Sequence, residues 1–194
     1  EWKELIEKMI NFTPKTASKL FFNQLFGGRQ PKAVFGDLLA VMLNNSMYTY
    51  KVAGPQAGIE KTIMKKVVQL AGYPDLADGT IAPGGSMCNF MALVMARDSV
   101  VKDTPNAGVN SKMTLYTSKE SHYSIPKNAA FAGIGRDQVR FIKTNEKGEM
   151  DTNHLNDTIL EDKNQGYTPF FVNATAGTTV LGAFDDIEAI HHVC

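Results

Sequence analysis

The chain has 194 residues, enough for one α/β domain and too few for two full ones. Its content of 43 % hydrophobic and 21 % charged residues is that of an ordinary soluble protein, and 20 basic residues against 20 acidic ones leave no net field to recruit nucleic acid or an anionic membrane. No apolar run reaches the roughly 18 residues that span a bilayer, and no signal peptide opens the sequence. With Cys88 and Cys194 as the only cysteines, a reduced, cytoplasmic setting is expected.

The opening EWKELIEKMI places Trp2, Leu5, Ile6, Met9 and Ile10 on one helical face. FFNQLFGGRQP (21–31) is punctuated by Gly27, Gly28 and Pro31 and reads as a structured loop. In PQAGIEKTIMKKVVQLAG, Ile59, Ile63, Val67 and Leu70 recur at helical spacing, with Pro55 near the start and Gly72 just past the end. Helices and strands then alternate. GTIAP (79–83) is a candidate strand, and SMCNFMALVMAR (86–97), apolar nearly all round, is a candidate buried helix. KMTLYTS (112–118) reads as a strand, SIPKNAAFAG (124–133) as a short helix and QVRFIKT (138–144) as a strand with one wet face. DTNHLNDTILEDK (151–163) is a helix that Asp151 can cap, PFFVNAT a strand, and the last helix starts near Asp185. This alternation predicts an α/β fold, a mostly parallel sheet flanked by helices. Glu1 begins inside an amphipathic pattern and Cys194 ends another without a stop signal, so an internal piece of a longer polypeptide is expected.

Three of the strand-end loops carry chemistry. NATAGTTVLGAFD (173–185) follows an apolar run and breaks into Thr and Gly, which bring donors close to a ligand at the edge where open α/β sheets place their sites. PGGSMCN (83–89) joins a strand to a helix whose first amides can hold a phosphate. Taken alone it is an ordinary glycine turn with Ser86 as cap, and it is no Walker loop, since no Gly-Lys-Ser/Thr follows. TSKESHYS (117–124) sets His122 at the same edge, where an imidazole can stack on a planar ring or move a proton. Thr175, Thr178 and Thr179 supply hydroxyls, while Asp185 and Asp186 read as a helix cap and a first-turn acid. His154, His191 and His192 show no metal-ligand spacing, and no metal is expected.

Together, PGGSMCN, TSKESHYS, GEMD and ATAGTTVLGAFD resemble the group II pyridoxal-phosphate-dependent decarboxylases, nearest to the glutamate and cysteine-sulfinate branch, in register from about Phe21 onward. The resemblance implies part of a fold-type I large domain, pyridoxal 5'-phosphate as cofactor, and a homodimer with sites at the subunit interface. It divides the chain by role into 1–54, an N-terminal helix and substrate loop, and 55–194, the first part of the cofactor domain. By position, Gly85, Ser86, Met87, Cys88 and Asn89 would hold the cofactor phosphate, His122 would stack on its ring as the catalytic residue, and Thr175 would lie against it. Gln24, Leu25 and Phe26 would stand at the substrate loop with Ser46 nearby, and the pair Phe26 and Ser46 is more like the cysteine-sulfinate branch. The family usually has Ser where this chain has Cys88, a poorer donor.

The implied reaction removes CO₂ from an acidic amino acid: cysteine sulfinate, glutamate or aspartate. In the family, the Asp that pairs with the pyridine nitrogen, the Lys that carries the cofactor and an Arg for the substrate carboxylate all come after the position of Cys194, so these 194 residues alone are expected to be inactive and prone to associate through a bare sheet edge. The rival readings are another fold-type I enzyme, an aminotransferase or lyase, and a non-catalytic paralogue serving as a dimer partner.

Overall fold

The computed structural model describes residues 1–22, 25, 27–109 and 112–194. The chain gathers into two compact units, Glu1–Thr80 and Ile81–Cys194.

The first unit is helical. Helix α1 (Trp2–Phe12) carries the expected apolar face, α2 (Pro31–Leu43) starts on Pro31 with the Gln30 side chain accepting from the Lys32 amide, and α3 (Tyr50–Ala53) leads through Gly54 into α4 (Pro55–Leu70). Helix α4 ends as its sequence predicts: the amides of Gly72 and Tyr73 turn back to the carbonyls of Gln69 and Val68, both at 3.1 Å. The segment 79–83 is a correction, because it carries no strand. A strand needs a ladder partner for its backbone groups, and no described strand lies alongside it.

The second unit holds α5 (Gly85–Val100), α6 (Thr104–Ala107), β1 (Met113–Ser118), α7 (Ser124–Phe131), a 3₁₀ turn at Arg136–Gln138, β2 (Val139–Ile142), α8 (Thr152–Asn164), β3 (Thr168–Asn173) and α9 (Ile187–Val193). The strands form a parallel sheet in the order β2-β1-β3, with α7 and α8 as the crossovers. β1 is buried along its whole length, as the central strand of a parallel sheet must be. Opposite Thr114 and Leu115 the register slips past Phe170, next to Pro169, which has no N–H to give the ladder.

The period-2 alternation of β1 divides the core between the two faces of the sheet. Met113 and Leu115 pack with Leu93 of α5 and with Ile125 and Ala129 of α7. On the opposite face Tyr116 packs with Leu155 and Ile159 of α8 and Ile190 of α9. The α/β class with helices on both faces, expected from alternation, is therefore found. Helix α5 corrects its expectation of all-round burial: among its residues only Leu93 is buried, and Met95 is 70 % exposed. One face of α5 meets α7 and β3, with Phe90 and Val94 packed beside Leu93, while Met87, Met95 and Val100 face outward.

A polar cluster ties the second face together. The Tyr116 hydroxyl donates to Asp162 Oδ2 at 2.7 Å, and Arg140 Nε and Nη2 each reach Asp162 Oδ1 at 3.0 Å. Burial, reinforced by the Asp162 carboxylate, pushes the Tyr116 phenol well above the ordinary tyrosine range. Asp151 caps α8 as its position predicts, accepting from the amides of Asn153 and His154 at 3.0 and 3.1 Å.

Candidate active site

Gly84 adopts φ +94°, a conformation that side chains with a Cβ seldom take, and turns the chain into α5. Nothing lies within 4 Å of where a Cβ on Gly84 or Gly85 would stand, so the start of this 16-residue helix opens onto free space. The Met87 and Cys88 amides turn back to the Gly84 carbonyl at 3.0 and 3.3 Å, leaving the amides of Gly85 and Ser86 as the outward donors of a helix end with about half a positive charge. The buried Asn128 of α7 donates to the Ser86 carbonyl at 2.9 Å and fastens this turn in place.

His122 stands in the loop between β1 and α7, half-buried, with its ring centroid 4.2 Å from that of Tyr123. Its Nδ1 accepts the Ser124 backbone N–H at 3.2 Å and lies 2.9 Å from Ser124 Oγ. That hydroxyl is buried and also accepts Asn89 Nδ2 at 2.9 Å, so α5 reaches the histidine through one side chain.

The loop after β3 joins from the other side. Thr175 Oγ1 is 2.9 Å from Ser121 Oγ, which in turn is 2.9 Å from Ser118 Oγ at the end of β1. Asn173 Nδ2 donates to Thr175 Oγ1 at 3.2 Å. Asp185 holds Thr175 from behind. Its Oδ2 accepts the Thr175 amide at 2.7 Å, its own amide donates to the Thr175 carbonyl at 2.9 Å, and its Oδ1 accepts the Met150 amide at 2.7 Å.

The cap assignment of Asp185 is thereby corrected. Asp186 caps α9, accepting the Ala189 amide at 2.9 Å, and Asp185 is a buried brace between two loops. Thr178 is also reassigned: it is buried, and its hydroxyl accepts the Ala183 amide at 3.0 Å, which closes its own turn.

The hydrogen bonds thus link Ser86 and Asn89 to α7, His122 to Ser124, and the β1 loop to Thr175, so the turn into α5 and the loops after β1 and β3 meet at one rim. Ser86, Met87 and Cys88 are exposed along the start of α5, while Asn89 and Thr175 are half-buried. In the first unit Leu25 is exposed, and the exposed Ser46 accepts the Tyr48 amide at 3.2 Å. Gln24 and Phe26 lie outside the described residues. Sequence reasoning missed Ser121, Ser124, Asn128 and Asn173. The signal available for Ser121 and Ser124 was their place beside His122 in TSKESHYS, but Asn128 looks like any polar residue of a surface helix. Among the described residues no His, Cys, Asp or Glu cluster is arranged to hold a metal, and no helix is long and apolar enough to cross a membrane.

The family described as the pyridoxal-dependent decarboxylase conserved domain matches residues 3–194. Cysteine sulfinic acid decarboxylase of Mus musculus is 42 % identical over 193 residues, which cover 98 % of this chain and 39 % of that protein. Acidic amino acid decarboxylase GADL1 of Xenopus tropicalis is 38 % identical over 193 residues, covering 98 % of this chain and 38 % of its own. The crystal structure of mouse CSAD superposes with a TM-score of 0.95 at 41 % identity, covering all of this chain and 42 % of the other. The chain therefore spans about two fifths of the length of these relatives.

Proposed function

The chain belongs to the pyridoxal-dependent decarboxylase family, and from that premise we propose that it forms part of a carboxy-lyase that removes CO₂ from an acidic amino acid: cysteine sulfinate, glutamate or aspartate. The observation that carries this reading is the meeting of the α5 start, His122 and Thr175 at one rim: hydrogen bonds tie α5 to Ser124 beside His122, and Ser121, the residue before His122, to Thr175.

The residues present fit pyridoxal 5'-phosphate. An open helix start with two outward amides suits a phosphate, at about 1.5–3 kcal/mol for each charge-assisted bond. Cys88 adds only a weak donor, so the backbone of Gly85 and Ser86 carries most of the anion binding. When bound, the cofactor supplies an electron sink for the pair left behind as CO₂ departs. The rest of the work belongs to the protein. Gly85 to Asn89 anchor one end of the site, His122 offers a flat face and a proton-bearing ring, and Thr175 is held in place by Asp185. Residues 1–54 contribute the substrate side through Gln24, Leu25, Phe26 and Ser46, and residues 55–194 contribute the cofactor side. The division of Phe26 and Ser46 favours cysteine sulfinate. We place the protein in the cytoplasm as a homodimer, in keeping with its two free cysteines.

The test is CO₂ release by the full-length polypeptide with added pyridoxal phosphate, compared across cysteine sulfinate, glutamate and aspartate. Release from at least one is expected, with His122→Ala lowering turnover by about tenfold, the value of one ring-stacking contact. Silence on all three substrates overturns the reading.

A further inference from the structure

We propose that Ser124, held by Asn89, is a positioning residue that keeps His122 as its Nε2–H tautomer. The inference rests on the decarboxylase reading only for its consequence in turnover; the tautomer itself follows from hydrogen bonding.

A backbone N–H can only donate, and the Ser124 amide points at His122 Nδ1 from 3.2 Å. This longer bond favours a lone pair on Nδ1, with the ring proton of the neutral imidazole on Nε2. The Ser124 hydroxyl, 2.9 Å from the same Nδ1, is turned the same way. Asn89 Nδ2 donates into Ser124 Oγ at 2.9 Å, which occupies an acceptor site of the hydroxyl and directs its proton to the histidine. Ser124 is 1 % exposed, so water does not compete for these bonds. Among the described residues no acceptor engages Nε2, and its N–H is available to an anionic oxygen of a ligand. Helix α5 thus has two tasks. Its first amides are open to an anion, and one turn later Asn89 sets the proton of His122. Through this bond the Asn89 side chain connects the start of α5 to α7.

Nitrogen-15 NMR of the full-length protein labelled at histidine reads which ring nitrogen carries the proton, with the His122 signals assigned by their loss in His122→Asn. A lone-pair nitrogen at Nδ1 and a protonated one at Nε2 are expected both without and with pyridoxal phosphate; a protonated Nδ1 in the cofactor-free protein overturns the proposal. Ser124→Ala keeps the backbone donor and loses the shorter hydroxyl bond. It is expected to mix the two tautomers and to lower kcat by about tenfold with KM nearly unchanged, the effect of one hydrogen bond. Ser124→Thr is expected to restore both. A Ser124→Ala protein with wild-type tautomer and wild-type kcat overturns the positioning role. Absence of CO₂ release by the unaltered protein would sink the proposed function and leave the NMR result standing, so the two failures are distinguishable.

Discussion

Two carboxylates next to each other, Asp185 and Asp186, show how much a single side chain's partner matters. Asp186 makes the ordinary cap bond at the start of α9, whereas Asp185 is buried and accepts two backbone amides, each at 2.7 Å. Asp185→Asn keeps the shape but replaces one acceptor oxygen by an NH₂ that faces an N–H. An amide bonded to a charged acceptor contributes about 1.5–3 kcal/mol, so Asp185→Asn is expected to lower stability by about that much in denaturant unfolding. It should also weaken pyridoxal phosphate binding, because Thr175 loses its brace; Asp186→Asn should do neither, since Asn caps nearly as well as Asp. Cys88 makes the opposite kind of prediction. Cys88→Ser exchanges an exposed thiol at the start of α5 for a stronger donor and is expected to tighten cofactor affinity several-fold in equilibrium titration. Equal affinity would mean that the helix amides hold the phosphate without help from this side chain.

At the level of elements, the site depends on two loops touching. The turn between β2 and α8 places Gly148 at φ +80°, and a Cβ there would come within 2.8 Å of Leu181 Cδ1 and 3.3 Å of Ala183 Cβ. The same two segments are joined by Asp185, which takes the Met150 amide beside this turn. Gly148→Ala is therefore expected to cost about 1–3 kcal/mol, the range for a residue held in a sparsely populated backbone region. Proton exchange of the Met150 and Thr175 amides should accelerate in parallel. Unchanged exchange at both would show that the loops are held independently of this contact.

For the whole molecule, the buried network around Asp162 links stability to alkaline pH. Tyr116 keeps its proton in the folded chain well above the pH at which the unfolded chain releases it, about 10. Above that pH the unfolded state binds fewer protons than the folded state, so stability falls as pH rises, by up to about 1.4 kcal/mol per pH unit. Tyr116→Phe should flatten the decline in a pH series of melting curves; a slope identical to that of the unaltered protein would show that other groups drive it. The isolated 194-residue chain is expected to release no CO₂ and to self-associate, since among the described residues no strand pairs with the outer edge of β3 and α1 exposes Trp2 and Met9. Sedimentation of this chain as a monomer with a cooperative melt would contradict that expectation.

The amino-acid order determined the elements of this protein through local pattern: alternation in QVRFIKT, helical spacing from Pro55 to Leu70, and the cap at Asp151 all need only neighbours a few residues away. The three loop motifs were legible for the same reason, since each lies within one short segment. Only the tertiary structure decided which groups meet. It joined Asp185 to Met150 across 35 residues and Ser121 to Thr175 across 54, gave GTIAP no neighbouring strand, and left half of α5 uncovered. Hydrogen bonds between distant segments leave no periodic trace in a sequence, because any small polar residue at those positions has the same local preference, and its partner is chosen only when the sheet brings the loops to one rim.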